Sequence, residues 1–75
     1  KEHMSKMGDA VGCAQTSVSD LLLGRRRYTE LPTIIADGAA LTGITPLVMK
    51  QMIGELVRRE DDPVPAQLFR LWATI

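Results

Sequence analysis

Residues Gly12 to Arg27 read GCAQTSVSDLLLGRRR, and how that stretch bends decides the fold. Gly12 stands six residues before Val18, and Gly24 six residues after it, followed by Arg25, Arg26 and Arg27. Glycine reaches φ > 0 without steric cost, so Gly12 is expected to supply a sharp turn between two helices. Gln15, Thr16 and Ser17 then fall in the first turn of a helix running from about Ala14 to Leu23. Val18 and Leu21 lie one turn apart on its inner side. Thr16, Ser19, Asp20 and Leu23 fall on the other side, with Gln15 at the edge. Gly24 is placed to end the helix as the left-handed residue beyond its last turn.

Upstream, Lys1 to Val11 has Met4, Met7 and Val11 on one helical face. Gly8 weakens such a helix by roughly 1 kcal/mol against alanine, so close packing is the expected reason for it. Downstream, Arg25 to Pro32 reads as a loop. A third helix, about Leu31 to Leu41, is expected to bury Ile34 or Ile35 with Ala39. Thr42-Gly43-Ile44 closes it, and Thr45-Pro46 is a cap followed by proline at the first helical position. The fourth helix, Pro46 to about Glu60, carries Leu47, Val48, Met49, Met52, Ile53, Leu56 and Val57. Its apolar arc covers ~180°, enough to touch two neighbours. Asp61-Asp62-Pro63-Val64-Pro65 breaks the chain before a last short helix, Ala66 to Ile75. The expected architecture is a small all-α bundle of about five short helices in one domain.

The stretch from about Met4 to Arg27, and more loosely to Ile44, resembles the helix-turn-helix of the lambda repressor and Cro group of phage and bacterial regulators. Gly8 stands where that family has a small residue at the helix crossing. Gly12 matches its turn glycine, and Val18 the buried β-branched residue of the recognition helix. The family commonly has Ser or Thr where this chain has Ala14, and charged residues where it has Leu22 and Leu23. Its members also carry a helix ahead of this one, for which the chain leaves no room. A clipped start, or another segment or partner covering the exposed face, is compatible with that. The tail from Arg58-Arg59-Glu60 to Trp72 is loosely similar to that of small phage-encoded regulators.

The resemblance implies a sequence-specific regulator of double-stranded DNA, of phage or prophage type and acting as a repressor. Residues 4–24 would be the helix-turn-helix unit, with Gly8, Gly12, Val18 and Leu21 serving turn and packing. Gln15, Thr16 and Ser19 match positions that commonly face DNA. Gln15 is the leading base reader, since its amide can donate to and accept from one adenine. Arg25, Arg26, Arg27 and Tyr28 are better placed for phosphates, which set register rather than sequence. The arginines can equally complement a helix C-terminus, and Tyr28 can pack its ring. Residues 45–75 complete the core or dimerise, with Met52, Leu56, Phe69 and Trp72 as the dimer or partner surface. A symmetric dimer would set two reading helices ~34 Å apart and call for a near-palindromic operator.

The bulk composition bounds these readings. The 75 residues allow one small domain, with three aromatics and an aliphatic core suited to helix on helix. Cys13 is the only cysteine and His3 the only histidine, so neither a disulfide within the chain nor a closed zinc site is expected. No cofactor is implied, and no arrangement of nucleophile and base, paired carboxylates or glycine loop suggests an enzyme. No run approaches the ~18 apolar residues of a membrane span, and a cytoplasmic, nucleoid-associated protein is expected. The net charge of zero opposes DNA binding. Its distribution favours it: residues 1–29 carry five Lys and Arg against three Asp and Glu, residues 30–75 four against six. Two rival functions use the same residues. One is the antitoxin of a toxin–antitoxin pair, with the apolar tail masking a toxin. The other is a protein-interaction module without DNA binding, which the outward Leu23 and Asp20 would suit.

Overall fold

The computed structural model describes residues 6–60 and 64–75. His3, Met4 and the Asp61-Asp62-Pro63 break lie outside them, as does the side chain of Met7. The described chain is all-helical, and its first element overturns the expected bend. Helix α1 (Lys6–Leu22) runs unbroken through Gly12. The positive-φ glycines among the described residues are Gly24 and Gly43, and Gly12 is not one of them. The physical reason lies in the buried stripe. Ala10, Ala14, Val18 and Leu21 are all buried, at spacings of four, four and three that keep one face inward across the glycine. A bend at Gly12 would throw Ala10 out of line with the rest. Thr16 Oγ1 donates to the Gly12 carbonyl at 3.1 Å, and Ser17 Oγ to that of Cys13 at 3.0 Å, both one helical turn back. The separate helices expected before and after Gly12 are therefore one.

Gly24 does end α1, as its spacing predicts. It takes φ 80°, and the Arg25 and Arg26 amides donate to the Asp20 carbonyl at 2.8 and 3.1 Å. A short 3-10 turn (Tyr28–Glu30) then leads into α2 (Leu31–Thr42), with Pro32 in its first turn. Helix α2 buries Leu31, Ile34, Ile35, Gly38 and Ala39, so both isoleucines face the core rather than one. Gly43 stops α2 at φ 75°, its amide and that of Ile44 donating to the Ala39 carbonyl. Thr45 caps α3 (Pro46–Arg58), its side chain accepting from the Val48 amide at 3.3 Å. Helix α3 buries Met49, Ile53, Gly54 and Val57. The last element is α4 (Ala66–Ala73), shorter than expected and held by Leu68.

Helices α1, α2 and α3 each pack on the other two. The close crossing is at Gly38 of α2, not at Gly8. A Cβ at Gly38 would lie 3.1 Å from Met49 Cε of α3 and 3.3 Å from Cys13 Sγ of α1. Gly8 is solvent-exposed, so close packing is not its role. Val11, expected inward, is 40% exposed, because Ala10 and Ala14 take the buried stripe. The described residues thus make four α-helices and one 3-10 turn. No single described helix is long and apolar enough to cross a membrane.

An exposed helical glycine with nothing within 4 Å of a would-be Cβ is free to become alanine. Gly12→Ala should therefore stabilise the fold by roughly 0.5–1 kcal/mol, through helix propensity and a less flexible unfolded chain. Urea denaturation measures this. A clear loss of stability would mean that residue 12 needs the left-handed region and that α1 bends.

Candidate nucleic-acid interface

The straight α1 changes what its polar residues can do. Gln15, Thr16 and Ser19 are exposed on one face, with Gly8, Gly12 and Leu23 along the same side. No turn makes that face protrude, so these residues lie along the middle of a helix flank. Helix α1 carries Lys6 against Asp9 and Asp20, an acid-leaning balance for a surface meant to approach phosphates. Val18 and Leu21 keep their packing role. Gly12 loses its turn role and Gly8 its crossing role.

The arginine run is built into the loop rather than held free. Arg25 pairs with Asp20 at 3.7 Å, and Arg26 Nε donates to Glu30 Oε1 at 3.0 Å. The Arg27 backbone N–H donates to the other Glu30 oxygen at 2.8 Å, while the Arg27 side chain stands exposed. Glu30 therefore cross-links the loop to the start of α2. The Arg27 amide, and after it the Arg26 guanidinium, hold its carboxyl below the ordinary glutamate range. Tyr28 packs partly against the core, as an amphipathic tyrosine in a tight turn does.

The four residues expected to form a dimer surface are divided. Met52 and Leu56 line a shallow groove with Val11 between α1 and α3, rimmed by Glu55 and Arg59. Phe69 and Trp72 lie on the opposite flank of α3, against Ile53, Gly54 and Val57. They do not form one patch.

What the structure does assemble is a sharply bent helix pair. The axis turns by 114° between Tyr28–Thr42 and Pro46–Arg58. The connection is Gly43-Ile44-Thr45, with a left-handed glycine at its first position and the α3 cap at its last. Ala39 and Met49 are buried on the inner side of the bend. Helix α3 then leads outward with Thr45, Pro46 and a 62% exposed Leu47, followed one turn on by Gln51. Lys50 and Arg58 stand on the same outer half, both close to the Trp72 ring at 4.8 and 5.2 Å. Sequence reasoning read the Gly43 stop and the Thr45-Pro46 start correctly but gave the following helix only core and dimer or partner roles, and did not find the sharp bend that precedes it. The signal was present in Ala39, Gly43 and Met49: a small residue, a turn glycine and a buried apolar residue at spacings of four and six.

Among the described residues no group of three or more His, Cys, Asp or Glu could hold a metal ion. Compared with family models, with curated proteins and with solved structures, the chain matches none of them.

The Glu30 tether has a defined pH dependence. A carboxyl with a lowered folded value contributes stability that is complete above the ordinary glutamate range and is lost as the pH falls through the lowered value. An NMR titration should place the Glu30 midpoint below that of a glutamate in an unstructured peptide, and Arg26→Ala should move it upward. An unshifted midpoint would mean that the loop does not hold Glu30 in solution.

Proposed function

We propose that the chain binds double-stranded DNA through the α2–α3 pair, with α3 as the reading helix and α1 behind it. The bend at Gly43 carries this reading. DNA-binding helix pairs join at about 90–120° through three or four residues, often including glycine, and the second helix enters the major groove. The 114° turn over Gly43-Ile44-Thr45 meets each of those conditions. The residues at the start of such a helix approach base edges. Here those are Thr45, Pro46 and Leu47, with Gln51 one turn further.

Each of these has a chemistry that suits a base edge. The Gln51 amide can bond an adenine at two points, and the Leu47 side chain can meet a thymine methyl. Helix α3 and its cap carry Lys50, Arg58 and Arg59 against Glu55, the more basic balance of the two long exposed faces. Arg27, at the α2 end of the loop, adds an exposed cation. A regulator that acts by occupying DNA needed by polymerase is the function this supports. The lambda-repressor resemblance was carried chiefly by about Met4 to Arg27, where the expected turn at Gly12 is absent, so the proposal rests on the α2–α3 geometry and makes no use of a phage origin.

A symmetric dimer fits only through some surfaces. Two reading helices must sit ~34 Å apart to enter successive grooves. A seam built on Met52 and Leu56 would pack α3 on α3 at roughly 8–10 Å, far too close. A homodimer with a near-palindromic site therefore has to use another face. One observation favours the second reading, a protein-interaction module: the Trp72–Ile75 end of α4 already touches α3 and engages Lys50.

Selection of bound duplexes from a random pool, followed by gel shifts, tests the proposal. Gln51→Ala should cost about 1–3 kcal/mol, some five- to 150-fold in affinity for the selected site. Gln15→Ala should leave it unchanged. Loss with Gln15→Ala alone would move the reading face to α1, and no selected duplex at all would leave the interaction module.

A further inference from the structure

Helix α4 lies where a duplex would have to pass. Trp72 rests on Gly54, the one residue on the outer flank of α3 with no side chain to keep it away. A Cβ there would fall 2.8 Å from Trp72 Cζ2 and 2.9 Å from Cε2. Trp72 Nε1 donates to the Lys50 carbonyl at 2.8 Å, and Lys50 Nζ donates to the Ile75 carbonyl at 2.8 Å. Lys50 and Arg58 both stack on the same ring. Two of the cations that the reading helix offers are thus engaged by the end of the chain.

The dimensions make this contact incompatible with groove entry. A helix with its side chains is about 10–12 Å across, which nearly fills a major groove ~12 Å wide. The Trp72 ring and the Ile75 carbonyl, held on the outer flank of α3, do not fit beside it. The contact is also suited to opening. Helix α4 has eight residues, too few to be helical without docking, and it follows a proline-bounded segment ending at Pro65. Leu68 anchors its first half in the core. Trp72 to Ile75 is held by two hydrogen bonds, the two stacked cations and the packing of the half-buried Trp72 ring on the core.

We propose that the Trp72–Ile75 end of α4 is a displaceable latch over the DNA-reading face of α3, seated in the notch at Gly54 and swung away when duplex binds. It rests on the DNA-binding function proposed above. Opening releases Lys50 and the already exposed Arg58 from the Trp72 ring, so that both can meet phosphates. A latch closed about nine-tenths of the time raises the apparent Kd about tenfold.

Trp72 is the only tryptophan, so its fluorescence and its quenching by acrylamide report the latch in the full chain. Gly54→Ala fills the notch while improving the helix propensity of α3, and circular dichroism checks that the fold is kept. Adding a selected duplex to the unaltered protein should make Trp72 more accessible to acrylamide. In Gly54→Ala the ring should be accessible from the start, and the same duplex should bind about tenfold more tightly. If the alanine leaves the ring shielded, Trp72→Ala removes the contact outright and must show the same tightening. Duplex binding with Trp72 equally shielded, and no tightening in either variant, overturns the latch and leaves α3 as the reader. Failure of both the unaltered protein and the unlatched variants to bind any duplex overturns the DNA reading and the latch with it.

Discussion

The fold depends on the approach of three helices at Gly38. A side chain at that position would meet Met49 from α3 and Cys13 from α1 at little more than 3 Å. With only hydrogen there, α2 lies low enough for Ile34, Ile35 and Ala39 to reach the stripe of Ala10, Ala14, Val18 and Leu21. Small residues on α1 answer the glycine on α2. A domain of this size has few large side chains to bury, so its core forms by bringing backbones close rather than by filling a wide gap. Met49, flexible and fully buried, takes up the irregular space left where the three axes cross.

That crossing also sets where α3 can point. Gly43 reverses the chain within three residues, and Thr45 with Pro46 starts the next helix at once. The angle of α3 is then held by Met49 and Ile53 beneath it. Its Leu47–Gln51 side is left outward because neither α1 nor α2 reaches it. The loop on the other side of α2 is equally constrained, since Glu30 ties the Arg26 side chain and the Arg27 amide together. Both ends of α2 are therefore fixed by local contacts, which makes α2 a rigid base for α3.

The helical class, the Gly24 stop, the Gly43 stop and the Thr45-Pro46 start were all legible in the sequence. Each is a short-range signal in which one residue's backbone or side chain satisfies the helix end beside it. The error at Gly12 is of another kind. A glycine is permitted in a turn but does not require one, and helix interiors tolerate it at a cost of about 1 kcal/mol. What keeps α1 straight is that Ala10 and Ala14 share a stripe with Val18, and alanines carry too little hydrophobic signal to stand out beside Met7 and Val11. The same weakness hid the role of Gly38. The seat of Trp72 on Gly54 was not legible, because a tertiary contact between residues far apart leaves no periodic trace.

Placing the bend at Gly43 rather than Gly12 also changes how the neutral net charge is understood. Under the earlier placement the duplex would meet a helix whose charges are Lys6, Asp9 and Asp20, and neutrality would be a plain obstacle. On α3 the cations outnumber the carboxylates, but two of them lie on an aromatic ring and one of those on a backbone carbonyl. Cations held in this way keep their charge and their long-range field, but while they lie on the ring they are less able to close on a phosphate at contact distance. If the chain binds DNA as proposed, these two cations reach phosphates only once the Trp72 contact opens. On the proposed reading, then, what the neutral net charge hides is not a shortage of cations on α3 but two cations, Lys50 and Arg58, already in contact with the Trp72 ring.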